Sequence, residues 1–188
     1  MIAQPTQIDF ENTLAIALLK TGTLSESALV FEDEGRIIGR CAIPLSLHQK
    51  LRQSPLVMIL AELEERVEQI YLEYVQERLQ DYRADDLSSA LDKLEYYLRA
   101  SSARIKKRLG GVAYSKLDGL INDAIELDRL SSDGFGGAST HKEWITFLLR
   151  EYYDKMYDFQ LSKKKQNIVF EGSRSEVVAY LQSSETRI

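Results

Sequence analysis

Three stretches of the chain carry residue types that do more than pack. The first is Val30–Arg40, V-F-E-D-E-G-R-I-I-G-R, in which three consecutive acids, Glu32, Asp33 and Glu34, lead into Gly35, Arg36 and Arg40. Leu29, Val30 and Phe31 before them are apolar and β-prone, which predicts a short buried strand. A strand that empties into acids, a glycine and arginines is how open α/β sheets build ligand sites, in the crevice beyond the carboxyl ends of their strands. A solvated hairpin turn accounts for the same charges. Asp33 and Glu34 could also hold Mg²⁺ through water.

The second stretch is Arg104-Ile105-Lys106-Lys107-Arg108, closed by Gly110-Gly111. Arg104 and Arg108 lie one helical turn apart, and such a face can neutralise several phosphates. The same cations also suit the dipole at the end of a helix. The third runs from Glu151 through Tyr152, Tyr153 and Tyr157 to Lys163-Lys164-Lys165. Aromatics interleaved with lysines can stack bases and hold a nucleic-acid backbone; a core stripe with a solvated basic end fits the spacing too. Arg66, just past the second strand, is either a phosphate contact or part of a charged helix face. His48, His141 and Cys41 make no metal-ligand set, and no Ser/His/Asp or nucleophile-elbow pattern gives a catalytic residue.

The elements that position these groups are mostly helical. The 188 residues are 44% hydrophobic and 28% charged, enough for an ordinary domain with a real core. A net charge of −5 restricts any nucleic-acid site to a local patch. A single cysteine and no targeting-type leader fit a reducing cytoplasm, and no apolar run reaches the ~18 residues of a membrane span. Helices are expected at Asp9–Lys20, Leu45–Gln53, Glu62–Tyr82 and His141–Leu161, with strands at Leu29–Phe31, Leu56–Leu60 and Asn167–Phe170. Ser173 and Glu176 predict a capping box for a last helix, after a turn at Gly172. Leucines at helical spacing from 85 to about 129 predict three inserted helices. Ser131–Thr140, S-S-D-G-F-G-G-A-S-T, reads as a flexible loop, a hinge or lid edge.

The expected fold is therefore α/β but predominantly helical: an incomplete parallel sheet of about three strands, resembling a P-loop NTPase, with a large helical insertion. The divisions are 1–84 and 141–188 for the core and 85–140 for the insertion. Three strands apolar on both faces cannot cover one another, and no G-x-x-x-x-G-K-[ST] loop is present. The expectation is that the first strands and the phosphate loop sit on another polypeptide, or that the chain is a piece of something longer; the alternative is an unusual small α/β domain whose helices wrap three strands.

Six segments resemble one family in order along the chain. They are Q-P-T-Q-x-x-F-E-N at Gln4–Asn12, E-D-E-G-R-I-I-G at Glu32–Gly39, I-K-K-R-L-G at Ile105–Gly110, H-K-E-W at His141–Trp144, L-L-R-E-Y-Y-D-K-M-Y-D-F-Q-L-S-K-K at Leu148–Lys164 and I-V-F-E-G at Ile168–Gly172. The chain resembles the region after the phosphate loop of bacterial tRNA 2-selenouridine synthases. The resemblance implies a tRNA-modifying transferase that replaces sulfur by selenium at a wobble 2-thiouridine through a geranylated intermediate. Selenophosphate and geranyl diphosphate are its implied substrates, with no cofactor held by this chain. tRNA is the implied partner, together with a rhodanese and phosphate-loop half in trans, without which the chain is expected to be inactive. The resemblance lends positions and not chemistry; the roles are our own assignment, in which Glu34, Arg36, Arg40 and Arg66 line the nucleotide-like or diphosphate pocket, and Arg104, Lys106, Lys107, Arg108, Tyr153, Tyr157, Lys163 and Lys164 meet tRNA. Gly35 departs from the serine usual there. The alternatives are a tRNA-binding module without chemistry and a truncated remnant.

Overall fold

A computed structural model describes residues 4–22, 29–33, 35–83 and 86–183. In chain order the elements are α1 (Gln7–Gly22), β1 (Ile37–Ile38), β2 (Cys41–Ala42), α2 (Leu45–Gln53), β3 (Leu56–Ile59), α3 (Leu63–Tyr71), a π turn (Leu72–Gln76), α4 (Glu77–Tyr82), α5 (Leu87–Leu109), α6 (Gly111–Leu130), α7 (Ala138–Leu148), a second π turn (Leu149–Tyr153), α8 (Asp154–Ser162), a 3₁₀ turn (Lys165–Asn167), β4 (Ile168–Gly172) and α9 (Arg174–Gln182). They form two compact units. Residues 61–165 make a helical unit; residues 1–60 with 166–188 make a mixed unit.

The helical unit is built on apolar stripes. Val67, Tyr71, Val75 and Leu79 stand four residues apart and are all buried. An unbroken α-helix would rotate such a stripe steadily off its face. The π turn at Leu72–Gln76 bonds i to i+5 and keeps Val75 and Leu79 inward. They pack with Leu91, Leu94 and Leu98 of α5, Leu117, Ile121 and Ile125 of α6, and Trp144, Ile145 and Leu149 near α7. Asp86 caps α5 by accepting from the Ser89 amide at 2.8 Å. The insertion holds two helices from 87 to 130 rather than three. Nothing in Ala100–Ala103 breaks α5: Ser102 is buried and returns its hydroxyl to the Arg99 carbonyl at 3.0 Å. The break comes at Gly110, whose φ of 87° favours glycine.

The glycine-rich 131–140 segment carries a set of hydrogen bonds, and its last residues, from Ala138, are helical. Asp128, fully buried near the end of α6, accepts from the Gly137 amide at 2.7 Å through Oδ1. Its Oδ2 lies 2.8 Å from Nε2 of the equally buried His141. Trp144 Nε1 donates to His141 Nδ1 at 2.9 Å. An indole N–H only donates, so Nδ1 accepts and the imidazole is neutral, with its proton on Nε2 facing Asp128. Asp133 accepts from the Phe135 amide at 3.0 Å and from the Ser131 hydroxyl. Gly137 must be glycine because a Cβ there would lie 2.1 Å from the Ala124 carbonyl oxygen. Outside, Arg99 reaches Glu95 at 2.8 Å and Asp118 at 2.7 Å, and Arg129 reaches Asp92 at 2.7 Å and Glu95 at 3.0 Å, tying α5 to α6.

The mixed unit holds less sheet than expected. Its parallel sheet has two strands, β3 and β4, among the described residues. Leu29–Phe31 forms no strand, and Val30 is 69% exposed. β-propensity is only a fit to a half-buried pleated surface, and without a ladder partner three residues have nothing to pair with. β3 was expected to be covered on both faces, but Leu56, Val57 and Met58 are half-buried and Ile59 is exposed. Gly172, expected to turn, instead ends β4 opposite Ile59 and accepts from the Leu60 amide at 2.8 Å. Phe170 of β4 stacks on Tyr180 of α9, centroids 4.3 Å apart. The capping box forms: the Ser173 amide donates to Glu176 Oε2 at 2.8 Å, and Ser173 Oγ accepts from the Glu176 amide. β1 and β2 make a small antiparallel hairpin whose backbone is read by two side chains. Gln4 donates to the Ile38 carbonyl at 2.6 Å and accepts from the Arg40 amide at 2.9 Å; Gln7 bonds both the amide and the carbonyl of Ala42 at 2.8 Å. Gly39, at φ 63°, leaves room for the Gln4 carboxamide.

Candidate nucleic-acid interface

The expected phosphate group divides between the units. Arg36 and Arg40 are exposed at the β1–β2 hairpin of the mixed unit: the Arg36 carbonyl accepts from the Ile43 amide at 2.8 Å, and Arg40 lies in the turn held by Gln4. Glu34 lies outside the described residues. Arg66 belongs to α3 of the helical unit, where its guanidinium grips Asp154 of α8 through two parallel bonds of 2.8 and 2.9 Å. The bond to Asp154 raises the Arg66 pKa, against a smaller opposing effect of burial. An arginine in a bidentate carboxylate pair has its fork occupied, which sequence spacing alone does not reveal.

The helical unit brings the other candidates together. Arg104, Lys106, Lys107 and Arg108 are exposed on the last turns of α5. Lys106 Nζ sits 4.7 Å from the centroid of Tyr114, in the first turn of α6. Arg108 Nη1 reaches the Tyr152 hydroxyl at 3.5 Å. Tyr152 meets Tyr153 edge to face at 4.9 Å, and Tyr153 stacks with Tyr157 at 6.4 Å and 23°. Cations and rings therefore run continuously from the end of α5 along the second π turn into α8. The hydroxyl of half-buried Tyr153 is pushed up chiefly by burial, and then by the neighbouring Tyr152, Tyr157 and Tyr74 hydroxyls. Lys163 Nζ lies 3.9 Å over the ring of exposed Phe159, and Lys164 is half-buried one residue on.

Several members of this surface were not legible from periodicity. Tyr114 pairs with Lys106 across the break at Gly110, where helical spacing no longer applies. Lys116 Nζ stands 4.8 Å over Phe147, at an open groove of about 450 Å³ that Leu109, Val112 and Glu151 also line. Tyr74 and Tyr97 sit on separate helices and meet only in the fold. Exposed rings can stack on bases, and the cations beside them can neutralise phosphate. Among the described residues no group of His, Cys, Asp and Glu is placed to hold a metal ion, and no helix is long and apolar enough to cross a membrane.

The family model described as the tRNA 2-selenouridine synthase AAA domain matches residues 1–187. A tRNA 2-selenouridine synthase of Alcanivorax borkumensis is 41% identical over 181 residues, 96% of this chain and 49% of that protein. One from Pseudomonas aeruginosa is 40% identical over 183 residues, 97% of this chain and 48% of the relative. One from Marinobacter nauticus is 40% identical over 182 residues, again 48% of its length. The chain thus spans about half the length of the curated relatives it matches. No solved structure matches it. A match over nearly every residue, with about 40% identity to several synthases, means that this chain belongs to the tRNA 2-selenouridine synthase family, in the region described as its AAA domain.

Proposed function

We propose that this chain serves a tRNA 2-selenouridine synthase by holding tRNA through its helical unit. The carrying observation is the run from Lys106 and Arg108 through Tyr152 and Tyr153 to Tyr157. In an acidic protein, a local basic face interleaved with aromatics is the surface suited to an RNA backbone and its unstacked bases. Arg36 and Arg40 supply a second, phosphate-binding turn for selenophosphate or geranyl diphosphate. Arg66, in the helical unit, is paired with Asp154 and would bind an anion only by giving up that partner. Replacement of sulfur by selenium at the wobble 2-thiouridine, through geranylation, draws on a rhodanese and phosphate-loop half that acts with this chain.

The test is tRNA affinity measured across a salt series. Lys106→Glu with Lys107→Glu is expected to weaken binding and to lower the slope of log affinity against log salt by roughly 1.5 to 2. An unchanged affinity and slope would remove this face from the interface. A second arm mixes the chain with a separately expressed rhodanese and phosphate-loop half. Neither complex nor selenouridine or geranyl product would sink the shared-enzyme reading while leaving tRNA binding to stand.

A further inference from the structure

A polar cleft in the helical unit brings together Tyr74 and Tyr97, two rings to which no ligand has yet been assigned. It is lined by Glu73, Tyr74, Glu77, Arg78 and Tyr97 and has a volume of about 330 Å³. That lies at the small end of ligand-sized pockets, roughly 300–1,000 Å³, where a single nucleotide fits and a large ligand does not. Glu73 and Tyr74 sit on the π turn Leu72–Gln76. Such turns add a residue to the helix, re-aim the side chains they carry and recur at functional sites. The helical unit has a second π turn at Leu149–Tyr153, which carries Tyr152 and Tyr153 of the basic-aromatic run. The hydroxyl of Tyr74 is pushed up by burial and then by Tyr97 and Glu73, with Arg78 opposing and Tyr157 adding a smaller push.

Its walls select the ligand. Tyr74 is 47% exposed, so its ring offers a face to solvent. The Arg78 guanidinium lies 5.4 Å from the Tyr97 centroid, a planar cation over an aromatic ring. Aromatic rings and guanidinium planes are the surfaces on which unstacked RNA bases lie. Glu73, which accepts from Gln69 Nε2 at 2.5 Å, and Glu77 place carboxylates in the same cleft. Carboxylates repel a phosphodiester but accept from the imino and amino groups on a base edge. Backbone phosphates would then follow Lys106, Lys107 and Arg108, while this cleft takes a base.

We propose that the Tyr74–Tyr97 cleft receives one unstacked nucleobase of a bound single-stranded RNA segment, an inference that rests on the tRNA-binding reading above. Stacking contributes the affinity, and Glu73 and Glu77 read the base edge.

The experiment uses the full chain and a short oligouridylate carrying one 2-aminopurine, with the same sequence as a duplex for comparison. Binding is expected to favour the single strand and to quench the 2-aminopurine. Tyr74→Ala and Tyr97→Ala should each weaken binding roughly tenfold and abolish the quench, with the salt slope unchanged. Tyr74→Phe should keep both affinity and quench, because the ring and not the hydroxyl does the stacking; it also guards against a folding defect in the alanine variant. Alanine variants that bind and quench like the parent, while Lys106→Glu with Lys107→Glu loses affinity, would overturn the base cleft and leave the tRNA reading intact. No binding of tRNA or oligonucleotide by the parent would overturn both.

Discussion

The two units hold themselves together by different means. In the helical unit, Leu79, Leu91, Leu94, Leu117, Ile121 and Ile125 are at most 1% exposed, and a buried polar chain runs from Gly137 through Asp128 and His141 to Trp144. In the mixed unit the buried apolar side chains among the described residues are Cys41, Ile43 and Val177, while Ile8, Leu19, Val30, Ile37 and Ile59 are more than half exposed. Its order rests on backbone pairing of β3 with β4, on Gln4 and Gln7 bonding the hairpin, and on the α9 cap. Apolar burial is the main favourable term in folding, so the helical unit carries most of the stability. Trp144 is the only tryptophan and lies in that unit, so its fluorescence reports the helical unit alone.

The largest way to break the contrast is Asp128→Ala. It strands the Gly137 amide and the His141 Nε2 proton in the core, and leaving buried polar groups without partners is costly. A loss of about 4 kcal/mol is expected in the Trp144 urea transition. Asp128→Asn should not restore the parent's stability, although it is nearly isosteric. If the amide Nδ2 faces His141, Nε2 must accept, which puts the proton on Nδ1 against the indole N–H of Trp144. Recovery in the Asn variant would show that the charge and tautomer set by Asp128 do not matter. Next comes Leu94→Ala, which opens a cavity in the same core at about 3 kcal/mol, whereas Val169→Ala on β4, 49% exposed, should cost less than about 0.5 kcal/mol. Equal losses at the two sites would erase the distinction between the units.

The same contrast governs what could be read from the chain. Helices announce themselves by local spacing, so α2, the helical runs near 62–82 and 141–161 and the Ser173–Glu176 cap stand where the pattern placed them. Strands depend on partners distant in sequence. Leu56–Ile59 finds Ile168–Gly172, while Leu29–Phe31, equally β-prone, finds none. The glycines of 131–140 suggest looseness, and the residue that bonds the Gly137 amide, Asp128, lies outside the loop in an ordinary helical stretch. The candidate face could be proposed from the sequence where it is contiguous, in the cations of 104–108 and the tyrosines of 152–157. Tyr114, Tyr74, Tyr97 and the grip of Asp154 on Arg66 arise from juxtaposition and leave no trace in spacing.

A smaller effect sharpens the comparison from the mixed side. Ser173→Ala removes half of the capping box and should cost about 1 kcal/mol. The loss should appear as faster amide exchange in α9, with the Trp144 transition unmoved. A parallel loss in the Trp144 signal would mean that the units unfold as one.

The smallest expected effect is a pH dependence confined to the helical unit. Glu95 is held below its ordinary value of 4.5, first by the hydrogen bond from Arg99 and also by Arg129, with burial opposing. A carboxylate whose folded pKa is depressed contributes stability that is fully present above the unfolded value and is lost as pH falls through the folded one. The window therefore opens just below pH 4.5 and extends downward. The groups are partly exposed and screened by solvent, so the contribution stays within about 1 kcal/mol. Glu151, lowered by its bond from Lys155, titrates in the same range, so the parent's slope alone does not isolate Glu95. Glu95→Gln does: its Trp144 urea midpoint should fall less steeply between neutral pH and the acid end of the window, and added salt should narrow the difference from the parent. If the two pH profiles run parallel, the Arg99–Glu95–Arg129 hub fixes the α5–α6 geometry without adding to the stability of the unit.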